Sequence, residues 1–135
     1  MVPTRASLEA EKHAKTILVI EDDDGIAGFI VQAIQQETPY QALRFADGYE
    51  AWNFMQQNWH LLPNLLMLDY NLPHMTGIEL YDNIHAQKEF VHIPAIIMSA
   101  YDRQCRAMVK ARNLVFLEKP FALDDLLDLI ERLIV

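Results

Sequence analysis

Four short runs of the chain are apolar at every position: Ile17-Leu18-Val19-Ile20, Leu65-Leu66-Met67-Leu68, Ile96-Ile97-Met98 and Leu114-Val115-Phe116-Leu117. Strands with one wet face alternate, so runs without alternation predict strands covered on both faces, as in a parallel sheet with helices on each side. A fifth run, Tyr40 to Ala46, alternates in part and suits an edge strand. Between the runs the period becomes helical. Ile26, Phe29, Ile30, Ala33 and Ile34 fall at i, i+3, i+4, i+7 and i+8, with glutamines and Glu37 opposite. Trp52, Met55 and Trp59 share a face of a second helix, and Leu80, Tyr81 and Ile84 a face of a third; such stripes predict core or rim packing. The last segment puts Leu123, Leu126, Leu127, Ile130, Leu133 and Ile134 on one stripe, with Asp124, Asp125, Asp128 and Glu131 off it and Leu129 breaking the polar face. The helix from about Asp102 to Arg112 differs. Arg103, Arg106, Lys110 and Arg112 interrupt Cys105, Ala107, Met108, Val109 and Ala111, so it buries little area, and weak burial predicts a movable element.

Strand and helix thus alternate five times, with no internal repeat and no dividing linker, which predicts a doubly wound parallel sheet with right-handed crossovers and helices on both faces. In one of the two common sheet orders, 2-1-3-4-5, the first and third strands are neighbours and ligands sit off their carboxyl ends. The composition supports one folded domain: 135 residues, 52% hydrophobic and 22% charged. With 19 acidic against 11 basic residues the net charge is −8, so the chain lacks the positive field that gathers phosphate backbones, and no direct nucleic-acid partner is expected. One cysteine, Cys105, excludes an internal disulfide and reads as an ordinary helix residue. Residues 1 to 15 are mixed in charge, contain Pro3 and have no apolar signal core; they read as a tail or an extra helix before a domain of residues 16 to 135. The apolar runs are too short to cross a bilayer, so the expected setting is the cytoplasm, away from membranes.

The chemistry collects where the strands end. The first strand runs into Glu21-Asp22-Asp23-Asp24, the third into Asp69, the fourth into Ser99-Ala100 and the last into Glu118-Lys119-Pro120. In the order 2-1-3-4-5, Glu21, Asp22 and Asp69 converge, with Ser99 and Lys119 reaching in from the far side. Like charges about 4 Å apart repel by roughly 4 kcal/mol at an effective dielectric near 20, so three clustered acids call for a cation or for protons. Magnesium suits such a site because it takes oxygen ligands, keeps several waters and binds through one or two carboxylates plus a phosphate. Lys119 offers a fixed charge for Asp69 at rest and for a phosphoryl oxygen later, and Ser99 a hydroxyl for the same group. Asp23 and Asp24 read as capping residues of the following helix. His13, His60, His74, His85 and His92 show no ligand spacing with one another or with Cys105, so no zinc site is expected, and His74 reads as solvent-exposed.

Residues 16 to 135 resemble the receiver domain of bacterial two-component response regulators. The likeness lies in Ile17 to Asp23, Pro63 to Gly77, Ile93 to Ala100 and Glu118 to Phe121, four stretches in order at the strand ends. It implies a flavodoxin-like fold and a signalling domain rather than an enzyme, one that assists its own magnesium-dependent phosphoryl transfer and autodephosphorylation. The phosphoacceptor would be Asp69, with magnesium held by Glu21, Asp22, Asp69 and the backbone carbonyl of Asn71. Ser99 would contact the phosphoryl group, Lys119 would neutralise it, and the Lys119-Pro120 bond would be cis. Phe116 falls at the switch aromatic, where a tyrosine is frequent, so its ring brings no hydroxyl. Implied partners are a histidine kinase or histidine phosphotransfer protein and a downstream effector. Tyr101 and Asn71, two residues past Ser99 and Asp69, would modulate water access, the bulk of Tyr101 favouring slow dephosphorylation. Leu114 and Val115 replace the acids that winged-helix regulators use across a dimer, so a monomer or weak dimer is expected.

Three other readings are weaker. A flavin carrier of this sheet order needs a Ser/Thr/Gly-rich phosphate loop where this chain has four acids. An aspartyl phosphatase needs a second acid two residues after the nucleophile, where Asn71 stands. A phosphorylation-independent interaction module of the same fold stays open, since an intact site can be unused.

Overall fold

The computed structural model of the protein describes residues 15–134, so the expected tail, apart from Lys15, lies outside the described residues. Five strands, β1 (Thr16–Ile20), β2 (Gln41–Phe45), β3 (Leu65–Asp69), β4 (Ala95–Ser99) and β5 (Val115–Glu118), alternate with α1 (Asp24–Glu37), α2 (Gly48–Gln57), α3 (Gly77–His85), α4 (Arg103–Ala111) and α5 (Leu123–Leu133). A short 3-10 turn, Lys88–Phe90, precedes β4. The sheet order is β2-β1-β3-β4-β5, every pair parallel.

Three of the four unbroken apolar runs form the inner strands, and every residue of β1, β3 and β4 is buried. Their side chains divide by parity between two cores. Leu18, Ile20, Leu66, Leu68 and Ile97 face α2, α3 and α4. Ile17, Val19, Leu65, Met67, Ile96 and Met98 face α1 and α5. Each fully buried aliphatic side chain contributes about 1.5–3 kcal/mol relative to an exposed one, so the inner strands fix the register. The outer strands behave differently. β2 buries Leu43 and Phe45 and leaves its other residues half-buried, as an edge strand should. β5 corrects the expectation for Leu114 to Leu117: it is the other edge, Leu114 precedes it, and only Leu117 of the four is buried. A run of apolar letters does not report whether a further strand lies beyond it.

Two aromatic expectations are also corrected. α2 stops at Gln57, so Trp59 loses the helical phase shared by Trp52 and Met55 and stands 60% exposed. On α1 the buried stripe narrows to Ala27, Ile30, Ala33 and Ile34, while Phe29 is 43% exposed, its ring 6.2 Å from that of Phe121. α4 buries only Cys105 and Val109, which is the weak anchoring its sequence implied.

Candidate functional site

The carboxyl ends of β1 and β3 are adjacent through the pairing Ile20↔Leu68, and β4 and β5 through Ser99↔Glu118. Three turns follow. The β1–α1 turn is closed by Asp23, whose side chain accepts the Ile26 N–H at 2.9 Å as the α1 N-cap, the capping role expected of it; Asp24 lies in the first helical turn, its carboxylate paired with Arg44. The turn after β3 ends in a capping box of Thr76 and Glu79 at the start of α3. Gly77 packs there so tightly that a Cβ would sit 2.4 Å from the Asp69 carbonyl oxygen, so only glycine lets α3 begin against the end of β3. The last turn carries Lys119, and the Lys119–Pro120 bond is cis, as the resemblance implied.

These turns bring Glu21, Asp22 and Asp69 together, with carboxylate oxygens all within 4.8 Å of one another. Among the described residues this is the cluster of acids, histidines or cysteines that could hold a metal ion. Lys119 Nζ lies across it, donating to Asp69 Oδ1 at 2.9 Å and to Glu21 Oε1 at 2.6 Å. Asp69 Oδ2 takes no hydrogen bond from a described residue. The Glu21 partner was not anticipated from sequence, because the pairing joins residues far apart in the chain. Burial pushes Glu21 above the ordinary carboxylate range, a shift that Lys119 and the Asp23 N–H only partly offset. For Lys119 burial works downward, but hydrogen bonds with Glu21 and Asp69 outweigh it and hold the ammonium charged.

Ser99, at the end of β4, is 1% exposed, and its hydroxyl makes no well-formed hydrogen bond with a described residue, its polar neighbour being the buried Cys105 thiol. Phe116 is half-buried on β5, with the Arg106 guanidinium 4.8 Å above its ring. Beside it a groove of about 590 Å³ opens between α4 and β5, lined by Arg106, Val109, Lys110, Leu114 and Phe116 among others. Tyr101 is 69% exposed in the turn after β4. Asn71 is exposed, its backbone bridged to Thr76. His74 is exposed, as expected, and has a positive φ of 68°. Cys105 is buried, and burial pushes its thiol upward, away from the reactive thiolate.

Sequence reasoning missed Arg44. From β2 its guanidinium reaches the β1–α1 turn, donating to the Glu21 carbonyl from Nε at 3.0 Å and from Nη2 at 2.8 Å. A charge one residue before the end of an edge strand was the available signal.

An acid cluster bridged by a lysine, at the carboxyl ends of neighbouring strands in a 2-1-3-4-5 sheet, defines a doubly wound α/β domain with an acidic site at its sheet edge. Residues 17–131 match the response regulator receiver domain family, and the chain belongs to it. It is 30% identical over 112 residues to the sensor histidine kinase TmoS of Ectopseudomonas mendocina, a match covering 82% of this chain and 11% of the kinase. It is 27% identical over 118 residues to sporulation initiation phosphotransferase F of Bacillus subtilis, covering 86% of this chain and 90% of that protein. The signal receiver domain of a signal transduction histidine kinase from Syntrophus aciditrophicus superposes with a TM-score of 0.80 at 26% identity, over 90% of each chain. The chain spans only 11% to 14% of the length of several other relatives, the TmoS kinase among them. Receiver domains are signalling domains of two-component systems. No helix among the described residues is long and apolar enough to cross a membrane.

Proposed function

We propose that this chain is a phosphorylation-activated receiver, with residues 16–135 as the working unit and Asp69 as the phosphoacceptor. The observation that carries the reading is the arrangement around Lys119. Its ammonium occupies one oxygen of Asp69 and one of Glu21, leaving Asp69 Oδ2 without a hydrogen bond from a described residue.

The three carboxylates fit a hard divalent cation, since they are oxygen donors of like charge within 4.8 Å and one of them, Asp22, is exposed. Glu21, Asp22, Asp69 and the Asn71 backbone carbonyl would hold magnesium. When bound, magnesium supplies positive charge against the phosphoryl oxygens. The rest of the chemistry belongs to the side chains. An Asp69 oxygen attacks the phosphorus of a phosphohistidine on a histidine kinase or phosphotransfer protein. The phosphorus–nitrogen bond breaks, and its electron pair leaves with the imidazole, which takes up a proton. Lys119 then moves its hydrogen bond from the carboxylate to a phosphoryl oxygen. Phosphoryl transfer has a loose transition state, so alignment and cationic charge are the main requirements. Water later hydrolyses the acyl phosphate, with Tyr101 and Asn71 at the rim governing its approach.

The phosphoryl group, about −2 in charge where the carboxylate carried −1, draws the Ser99 hydroxyl toward it, a move that costs no well-formed hydrogen bond to a described residue. Phe116 turns into the space released, and the lightly anchored α4 shifts, changing the surface offered to a downstream effector. The protein acts in the cytoplasm, as a monomer or weak dimer, through protein contacts rather than nucleic acid.

The test is to add beryllofluoride with magnesium, a stand-in for the acyl phosphate, and compare amide spectra of wild type and Asp69→Asn. Shifts at Ser99, Phe116 and α4 that vanish in Asp69→Asn support the reading. A response indifferent to Asp69 overturns it in favour of a phosphorylation-independent interaction module.

A further inference from the structure

We propose that Arg44 is a positioning residue for the acid site: its guanidinium holds the backbone bend that lets two consecutive carboxylates face one cation. The inference rests on the magnesium reading given above.

Successive side chains of a strand point to opposite faces. β1 obeys this rule, sending Leu18 and Ile20 to one core and Ile17 and Val19 to the other. Glu21 and Asp22 break it, because both place a carboxylate oxygen in the same cluster with Asp69. The chain must therefore leave the extended conformation between them. The Glu21 N–H still bonds to the Phe45 carbonyl at 3.0 Å, continuing the β1–β2 ladder by one bond. Beyond that bond the carbonyls of Glu21 and Asp22 lose their neighbouring strand, and for the buried Glu21 a carbonyl without a partner is costly.

Arg44 takes both. Besides its two bonds to Glu21 O, Nη2 donates to Asp22 O at 3.2 Å and pairs with Asp24 Oδ1 at 3.0 Å. A planar guanidinium with five fixed N–H donors can serve these acceptors together, which an ammonium on a flexible stem cannot. Glu21 has other supports, since Lys119 binds its Oε1 and the Asp23 N–H donates to its Oε2 at 3.1 Å. The exposed Asp22 side chain takes no hydrogen bond from a described residue, so its aim depends on the backbone that Arg44 holds. Arg44 also brings positive charge beside the cluster while leaving the carboxylate oxygens of Glu21, Asp22 and Asp69 for the cation.

Manganese binding, followed by water-proton relaxation, tests this on wild type, Arg44→Ala, Arg44→Lys and Asp24→Asn, together with amide hydrogen exchange of the metal-free proteins. Arg44→Ala is expected to bind about 10-fold more weakly, the low end of what losing a ligand's outer support costs. Arg44→Lys is expected to fall between, and Asp24→Asn, which leaves the carbonyl bonds in place, to match wild type. Exchange in Arg44→Ala should quicken at the Asp23 and Ile26 amides and stay unchanged at Leu18 and Ile20. Wild-type affinity in Arg44→Ala overturns the proposal. So does weaker binding with faster exchange throughout β1, which would make Arg44 a general support of the sheet edge. A wild-type protein that binds no manganese overturns the magnesium reading itself, and this proposal with it.

Discussion

At the ends of β1 and β3, Glu21 and Asp69 share Lys119, and Arg44 fastens the backbone that carries Glu21 and Asp22. One and two strands further along, the Ser99 hydroxyl is buried without a well-formed hydrogen bond, Phe116 lies half-open under Arg106, and α4 is held by two buried side chains. The two halves of the rim differ in how fully their polar groups are satisfied. A network tied by charged hydrogen bonds is stiff, because displacement breaks bonds worth about 1.5–3 kcal/mol each. An unsatisfied hydroxyl beside a lightly packed helix has little to lose by moving. On the proposed reading, the first half suits chemistry, which needs fixed ligands, and the second suits sensing a new charge, which needs something free to respond.

The largest expected effect comes from removing the cation that closes the stiff half. Lys119→Met leaves Glu21 and Asp69 facing each other in a buried site and should cost about 3 kcal/mol at neutral pH, measured by urea unfolding. The loss should shrink in acid, as Glu21 takes up a proton. Glu21 then sets a sign that can be checked. Its folded value is raised above 4.5, so the stability linked to its proton is complete below 4.5 and is lost as pH rises through the folded value. Glu21→Gln removes this loss, and its stability advantage over wild type should grow across that window. A variant less stable than wild type at neutral pH would mean that the Lys119 bond outweighs burial.

In the loose half the expected changes are smaller, and one is reversed in sign. Ser99→Ala deletes an unsatisfied buried hydroxyl and should stabilise the protein by about 1 kcal/mol while erasing the beryllofluoride response at Phe116. Retention of the full response would refute the switch as described. Arg112 joins Asp82 of α3 through two hydrogen bonds, at 2.9 and 2.8 Å, tying the far end of α4. The pair is partly exposed, so Arg112→Ala should cost only about 0.5 kcal/mol. Amide exchange along α4 should nevertheless rise, and an unchanged rate would show that the helix is anchored elsewhere. Tyr101→Ala, at an exposed position, should leave the unfolding midpoint in place and shorten the phosphoryl half-life; an unchanged or longer half-life contradicts the shielding role of the ring.

What the sequence determined by itself was whatever repeats along the chain. Apolar runs without alternation marked β1, β3 and β4, the 3.6-residue period marked α1 and α5, and the residues that ended each run put forward Glu21, Asp22, Asp69, Ser99 and Lys119 as candidates that the fold then gathers on one rim. Local pattern is enough for these because burial acts on each element separately. It failed where an answer depends on what lies beyond the element: β5 reads as an inner strand but is an edge, and Trp59 keeps helical spacing past the end of its helix. Only the tertiary structure decided which charges meet. Lys119 reaches Glu21 as well as Asp69, Arg44 closes on carbonyls of a different strand, and the Ser99 hydroxyl is left without a well-formed hydrogen bond. Hydrogen bonds and ion pairs depend on ångström-scale distances between residues remote in sequence, and these distances exist only once the sheet order and register have placed the strand ends side by side.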